Sequence, residues 1–392
     1  MTWRLIGAKS RCQVLFARKP DRSDCYLART SKVPTMPLPS WSWHRSEITV
    51  RLGSIDKPAR AFDAGRFRMH NQGGAGMDKG TSQVEADIPH DVLLQLLQQT
   101  FGIKAEVAGY RVGNQRHDYR VLLVRLRHPS LKVVVKLAGP EAPLACPFER
   151  TAMLHHLVAT STDIPMPEVL SVDTSYQAWP WRYFIKTHIR GQEWAVAQLR
   201  MSAQDLAGAY RQIGHAVAQL HTIHFPAFGD LAVDGSVQGN QPYLTALTEH
   251  ARSSLKSARL RDLFFSVLET HRALFLDVGR ASLCHEDLHK HNILFQHRQG
   301  QWRLATILDF DKAWAGHRES DLARLDLWKG MTSSEFWESY EAIHPAEPLY
   351  KQRRPIYQFL WCLEFARNTP EHLADTQRLC AELGLPGIER FE

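Results

Sequence analysis

Six side chains in one stretch of this 392-residue chain have the types and the spacing to do chemistry. The segment SLCHEDLHKHNILF places His285, Asp287 and Asn292 in an HxDxxxxN pattern, and ILDFDKAWAGHRESDLARL follows with Asp309, Asp311 and Asp321. A carboxylate that must accept a proton from a hydroxyl cannot also be fully committed to a divalent cation, so the two tasks call for carboxylates on separate backbone segments. Asp287 suits the proton. Asn292 offers a neutral carbonyl ligand, and Asp309, after the apolar run 304–308, offers a charged one. Such an oxygen pair suits Mg²⁺, a hard cation that keeps part of its coordination for phosphate oxygens.

The same segment also spells HExxH through His285, Glu286 and His289. In that pattern two histidines one helical turn apart bind zinc and the glutamate activates water. The chemistry needs a regular helix, and the strand-like runs SLC and NILF on either side leave no room for one. A zinc reading also gives Asn292, Asp309 and Asp321 nothing to do.

HEDLHKHNILF, ILDFDKAWAG and ESDLARL together resemble the aminoglycoside phosphotransferase family of small-molecule kinases, which shares its fold with protein kinases. The resemblance spans residues 100–370. It implies an α+β, protein-kinase-like, two-lobed fold, with a small antiparallel-sheet lobe, a larger mostly helical lobe, and ATP between them. The implied reaction moves the γ-phosphoryl group of ATP to a hydroxyl of a small molecule. Asp287 and His285 then belong to the catalytic loop, with Asp287 taking the proton, Asn292 and Asp309 bind Mg²⁺, and His285 and Asp321 stiffen the loop. In the family a strand lysine pairs with a helix glutamate to hold the phosphates. Lys136, in VVVKLAG, and Glu149, in FERTAMLHHL, take these places. Backbone groups of Thr187, His188, Ile189 and Arg190 fall where the family meets adenine. Asp311 either adds a contact to the metal or is solvated, and Lys290 either aids transfer or faces solvent.

The sequence departs from the family at Lys290-His291, where Pro-Gly is frequent, and in a longer 292–309 segment whose surplus a hairpin tip at 297–301 absorbs. The phosphate-covering segment GYRVGNQRHDYRV has only Gly109 and Gly113 and contains neither GxGxxG nor a Walker A motif. A protein kinase shares HxDxxxxN, but LDFDKAW stands in place of DFG and no APE follows. Those absent parts build a protein-substrate platform, which favours a small hydroxylated acceptor. Whether that acceptor is aminoglycoside-like, a sugar or an amino alcohol stays open.

The elements that position these residues follow from periodicity. Val92, Leu93, Leu96 and Leu97 mark a helix closed by Gly102, and strands are expected over 105–111, 119–127 and 132–137. A helix over 148–157 precedes two strands in IPMPEVLSVD and WRYFIKTHIRG. Leu206, Tyr210, Ile213, Val217 and Leu220 form the stripe of a helix over 203–223, where His215, His221 and His224 read as core or surface residues. Residues 225–250 read as irregular and 251–278 as helical, and the aromatic segments SSEFWESYEAIH and IYQFLWCLEFARN read as helices that fill the core or line the acceptor pocket.

Charge separates the chain into regions. Residues 1–80 hold 15 Lys and Arg against 6 Asp and Glu, while 81–392 hold 33 against 35, so the net +7 belongs to the first part. The rest carries no nucleic-acid footprint. Residues 1–80 lack periodicity and read as a disordered extension, a transit peptide, or a segment upstream of a true start at Met77, with 1–76 dispensable. Residues 81–190 then form the nucleotide-binding lobe and 191–392 the lobe with the catalytic loop, metal site and acceptor pocket. Six scattered cysteines without a CxxC pair fit a reduced, cytoplasmic protein. No apolar run is long enough to span a membrane. Nothing in the sequence specifies an oligomeric state.

Overall fold

Alternating apolar residues build the small lobe. In the computed structural model, which describes residues 90–116, 119–140, 142, 147–177, 179 and 181–391, strands β1 (Glu106–Arg116), β2 (Tyr119–His128), β3 (Leu131–Ala138), β4 (Val169–Asp173) and β5 (Arg182–Thr187) form an antiparallel sheet in the order β1-β2-β3-β5-β4. The extension 1–80 and the start at Met77 lie outside the described residues. Successive side chains of a strand point to opposite faces. Leu122, Val124, Val133, Val135 and Ile185 therefore share one face, which packs on Leu93, Leu96 and Leu97 of helix α1 (His90–Phe101). Burial of each such leucine contributes roughly 1.5–3 kcal/mol. Gly102, at φ 90°, ends α1 by donating its amide to Gln98 O at 2.8 Å. On the opposite face Phe148 and Ala152 of α2 (Phe148–Ser161) pack on Tyr119, Ala138 and Phe184. Lys136 and Lys186 lie on this second face, in register with Phe184 and Val134.

The larger lobe begins beyond Gly191 with β6 (Gln192–Glu193), a short α3 (Trp194–Ala197) and α4 (Ala203–His221). Ser202 and Asp205 close a capping box at the start of α4. Ile213, Val217 and Leu220 of the expected stripe are fully buried. Next come α5 (Tyr243–Ser254), α6 (Ala258–Thr270), β7 (Ser282–Cys284), β8 (Ile293–Arg298), β9 (Gln301–Ile307), β10 (Trp314–Gly316), α7 (Glu319–Leu327), α8 (Ser334–Glu341), α9 (Tyr350–Phe365) and α10 (Pro370–Glu382). Strands β6, β8 and β9 pair, as do β7 and β10. The β8–β9 hairpin turns at Gln299-Gly300, inside the segment expected to absorb the extra length. Helix α4 lies so close to α8 that a Cβ on Gly214 would sit 2.3 Å from Phe336 O, so only glycine allows the approach.

The helical region after 225 starts earlier than its periodicity indicated, at Tyr243, and breaks before Ala258 because the Ser257 hydroxyl caps a new helix by accepting from Leu260 N. Among the described residues no helix is long and apolar enough to cross a membrane. The α+β, two-lobed fold is the one the motifs implied.

Candidate active site

Residues 285–292 form an irregular loop between β7 and β8, and one carboxylate shapes it. Asp321, at the start of α7, is fully buried and accepts from the amides of His285 at 2.7 Å and Glu286 at 2.8 Å. Its Oδ2 also accepts from His221 Nε2 at 3.3 Å. Burial pushes the Asp321 carboxyl up, but the hydrogen bonds it accepts from His221 and from the His285 amide oppose this, and the group is held below the usual carboxylate range. Burial in turn lowers His221 despite Asp321, so the neutral imidazole takes the Tyr340 hydroxyl proton bond on Nδ1 at 2.8 Å.

His285 then fixes Asp287. Its Nε2 can only donate to Leu308 O, 2.9 Å away, which leaves Nδ1 to accept from the Asp287 amide at 3.2 Å. Asn292 turns its Nδ2 to Asp287 O at 2.9 Å and Asp287 Oδ2 at 3.4 Å, because both are acceptors. Its Oδ1 and Asp287 Oδ1 are thereby left without a hydrogen-bond partner among the described residues. Glu286 and Asp309 adopt left-handed backbone conformations, φ 61° and 69°, that cost non-glycine residues energy and persist only where surroundings enforce them. Both flank groups placed by this network.

Glu286, the glutamate of HExxH, is only 2% exposed and accepts from Trp314 Nε1 at 3.0 Å, from Ser320 Oγ and from Arg324, 2.7 Å away. A buried, ion-paired carboxylate cannot serve as the general base of a zinc enzyme. His285 has both ring nitrogens engaged, and 285–289 is not helical. These contacts dispose of the zinc reading.

Lys136 reaches across from β3 and donates to Asp309 Oδ1 at 2.9 Å and Asp311 Oδ2 at 3.3 Å. Burial pulls its ammonium down, but Asp311 and Asp309 outweigh this and hold it well above the usual lysine value. Asp309 is held well below its usual value, since Lys136 overcomes the effect of burial.

The expected Lys136–Glu149 pair does not form. The buried stripe of α2 runs through Phe148, Thr151, Ala152, Leu154, His155 and Val158, and this turns Glu149 outward, where it accepts from Thr174 Oγ1 at 2.7 Å. Asp311 holds α2 instead, accepting from Thr151 Oγ1 at 2.7 Å through its side chain and from Arg150 at 2.6 Å through its carbonyl. The solvated alternative for Asp311 is thus wrong. Lys290 is exposed, as its solvent alternative had it.

Lys136, Asn292 and Asp309 line a cavity of about 520 Å³ with Thr187, His188, Ile189, Gly113 and Tyr119. Arg190 is exposed and does not line it, although Gly191 and Glu193 on the following segment do. The amides of Thr187 and His188 are taken by Glu168 O and Lys132 O at 2.9 Å each. Gly109 lies on a β1 bulge outside the cavity, and residues 117–118 of the glycine segment lie outside the described residues. Lys186, which the motif reading passed over, also lines the cavity. Its signal was a lysine directly after the apolar run Tyr183-Phe184-Ile185 of the strand RYFIKT.

Comparison with known proteins agrees with this geometry. A Thermobifida fusca protein described as a fructosamine-3-kinase superposes with a TM-score of 0.54 at 20% identity, covering 74% of this chain and 98% of that one. A thermostable mutant of aminoglycoside phosphotransferase APH(4)-Ia, in ternary complex with ADP and hygromycin B, gives 0.54 at 15% identity with coverages of 74% and 98%. A Ralstonia eutropha protein described as an aminoglycoside phosphotransferase gives 0.51 at 14% identity with coverages of 75% and 96%. No curated protein sequence matches the chain. At these identities the solved structures speak to the fold alone. The sequence profile of the phosphotransferase enzyme family matches residues 110–353, which include Lys136, the catalytic loop and both aspartates of the 309–311 segment, and on that match, more than half of the chain, the protein belongs to the phosphotransferase enzyme family.

Proposed function

We propose that this phosphotransferase moves the γ-phosphoryl group of ATP to a hydroxyl of a small molecule, with aminoglycoside-like compounds, sugars and amino alcohols as the acceptor classes. The observation that carries the reading is the division of labour on the catalytic loop. Asp287 is oriented by His285 and Asn292 and keeps Oδ1 open, while Asp309 is held apart from it on the segment after β9. The donor set fits a magnesium nucleotide: Asn292 Oδ1 and Asp309 Oδ2 are both oxygens, and the Lys136 ammonium stands beside Asp309. When bound, the cation would offset negative charge on the phosphate oxygens during transfer.

In this scheme Asp287 orients the acceptor hydroxyl and takes its proton at the open oxygen. Lys136 exchanges its bonds to Asp309 and Asp311 for the phosphates. Asp321 keeps the loop rigid, so Asp287 is placed before substrate arrives. Residues 81–190 serve as the nucleotide-binding lobe, with Thr187, His188 and Ile189 at the base, and 191–392 as the lobe that receives the acceptor. The ADP held by the APH(4)-Ia neighbour supports nucleotide use, and its hygromycin B supports a small acceptor. A protein acceptor is disfavoured because the segment 310–318 runs straight into α7 and leaves no platform for a peptide. Buried free thiols at Cys284, Cys362 and Cys380 suit a cytoplasmic enzyme.

The test is an ATP-consumption screen of the purified protein against a panel of aminoglycosides, sugars and amino alcohols. Turnover with at least one panel member is expected, dependent on Mg²⁺ or Mn²⁺ and resistant to a zinc-selective chelator. Zinc near one equivalent, with activity lost to that chelator, would refute the scheme.

A further inference from the structure

Two lysines share the sheet side of the cavity, and among the described residues only one of them has a hydrogen-bond or ion-pair partner. Lys136 and Lys186 sit on neighbouring strands and the same face, 7% and 5% exposed, and both line the cavity that holds Asn292 and Asp309. Lys136 donates to two carboxylates. Lys186 has no hydrogen-bond or ion-pair partner among the described residues, and its ammonium lies 5.7 Å from the centroid of the Phe184 ring. Burying an unpaired ammonium costs several kcal/mol, roughly. An apolar residue would hold this strand together better. The position is therefore suited to a group that arrives from outside the chain.

The direction of the side chain narrows what that group is. Register with Val134 starts Lys186 two residues, about 7 Å, closer to Thr187 than Lys136 lies. The charges acting on its ammonium are nonetheless those of Lys136, Asp309 and Asp311. Its ammonium lies near the ring of Phe184, the residue in register with Lys136, so its four-carbon stem runs from the hinge end of the cavity toward Lys136. Burial, followed by Lys136, brings the group down to about 7, with Asp309 and Asp311 opposing. The other titratable group facing it, His155 on α2, is held well below its usual value by burial and then by Lys186 and Lys136, so it adds no charge of its own. Both nearby carboxylates are engaged by Lys136, and an incoming phosphate must compete with them for that lysine. No such competition exists for Lys186.

We propose that Lys186 is a second phosphate-binding cation of this site, acting beside Lys136 on the polyphosphate of the nucleotide. The proposal rests on the reading of the cavity as a nucleotide site. It differs from a base contact, which would act equally on a nucleoside and a nucleotide.

Calorimetric titration of adenosine, AMP, ADP and ATP, with Mg²⁺, into the full chain and into Lys186→Met separates these cases. A charge-assisted hydrogen bond is worth about 1.5–3 kcal/mol, so ATP affinity should fall about 10- to 100-fold, while adenosine stays within about twofold. Lys186→Arg, which keeps the charge, should recover most of the ATP affinity. Unchanged ATP binding in Lys186→Met would overturn the proposal, and so would an equal loss for adenosine and ATP, which marks a base contact or a distorted pocket. Should Lys186→Met not fold, Lys186→Gln supplies the same comparison. A wild-type protein that binds none of the four compounds removes the nucleotide reading itself, which is distinguishable from a wild type that binds ATP and a variant that binds it equally well.

Discussion

On the catalytic-loop side of the cleft, Asp321 is buried among two backbone amides and a histidine, and Glu286 among Trp314, Ser320 and Arg324. On the sheet side, Lys186 is buried, 5% exposed, with nothing to donate to among the described residues. Buried charge is stable only when paired and hydrogen-bonded. The loop side meets that condition within the chain, which makes it scaffold. The sheet side leaves it incomplete, as the proposed phosphate-binding surface requires. Completeness of the network, more than burial, separates residues that hold the site from residues that meet its ligands.

The contrast breaks most visibly at Asp287, which belongs to the loop but has an open oxygen. Asp287→Ala should lower transfer about 10²- to 10⁴-fold, the usual contribution of a positioned general base, with ATP affinity nearly unchanged. Steady-state turnover beside calorimetric nucleotide binding checks this. Loss of binding in step with turnover would place Asp287 among the nucleotide ligands instead.

Removing a member of the satisfied network should damage the fold. Glu286→Ala leaves Arg324 with Glu364, 2.9 Å away, and the carbonyl of residue 286, but takes the acceptor from Trp314 Nε1 and Ser320 Oγ, and leaving such buried donors unsatisfied costs about 1–3 kcal/mol each. Urea denaturation should show the drop. A variant as stable as wild type would mean that Glu286 does not brace the loop.

Lys186→Met should do the reverse and stabilise the nucleotide-free protein. The Lys186 group falls from 10.5 to about 7 on folding, so between those values the unfolded chain binds more protons and this residue's contribution to stability rises with pH. Below pH 7 both states are charged and the full burial penalty remains. Above 10.5 it vanishes. The variant's advantage, on the order of a few kcal/mol, should therefore be largest at and below neutral pH and fade toward pH 10, as thermal melts across that range would reveal. An advantage independent of pH would show that packing, not charge, is the cause.

What could be read from the sequence divides along the same line. The loop side was legible because its residues lie close in sequence: HEDLHKHN and the aspartates after β9 form contiguous motifs, and Asp321 follows within one short strand and a turn. Strand alternation likewise gave β2 and β3 to within one residue at each end, whereas the strand expected to run through Gly191 stops at Thr187. The sheet side depends on which face of α2 turns inward and on strand register across the sheet, neither of which a motif encodes. Lys186 comes 50 positions after Lys136 in the chain yet shares its cavity, because β3 and β5 are neighbours. Asp311 was ambiguous for a related reason. Its contacts to Thr151 and Arg150 span 160 and 161 residues.

The smallest effect tests the replacement of Glu149 by Asp311 as the tie between α2 and Lys136. Glu149 is exposed, and among the described residues its carboxylate bonds the Thr174 hydroxyl alone, so surface reasoning holds: Glu149→Ala should change stability by no more than about 0.5 kcal/mol. ATP affinity should move little, since Lys136 keeps Asp309 and Asp311. Asp311→Ala is the matched control. It removes the acceptor of Thr151 and one partner of Lys136 together, so α2 is left with the Arg150 bond to the carbonyl of residue 311 while Asp309 alone restrains the lysine. Measured side by side, a drop in nucleotide affinity for Asp311→Ala with none for Glu149→Ala is the expected pattern. If Glu149→Ala instead produces the larger loss, the helix must turn when nucleotide binds and bring Glu149 to Lys136, and the arrangement described here is that of the enzyme before its substrate.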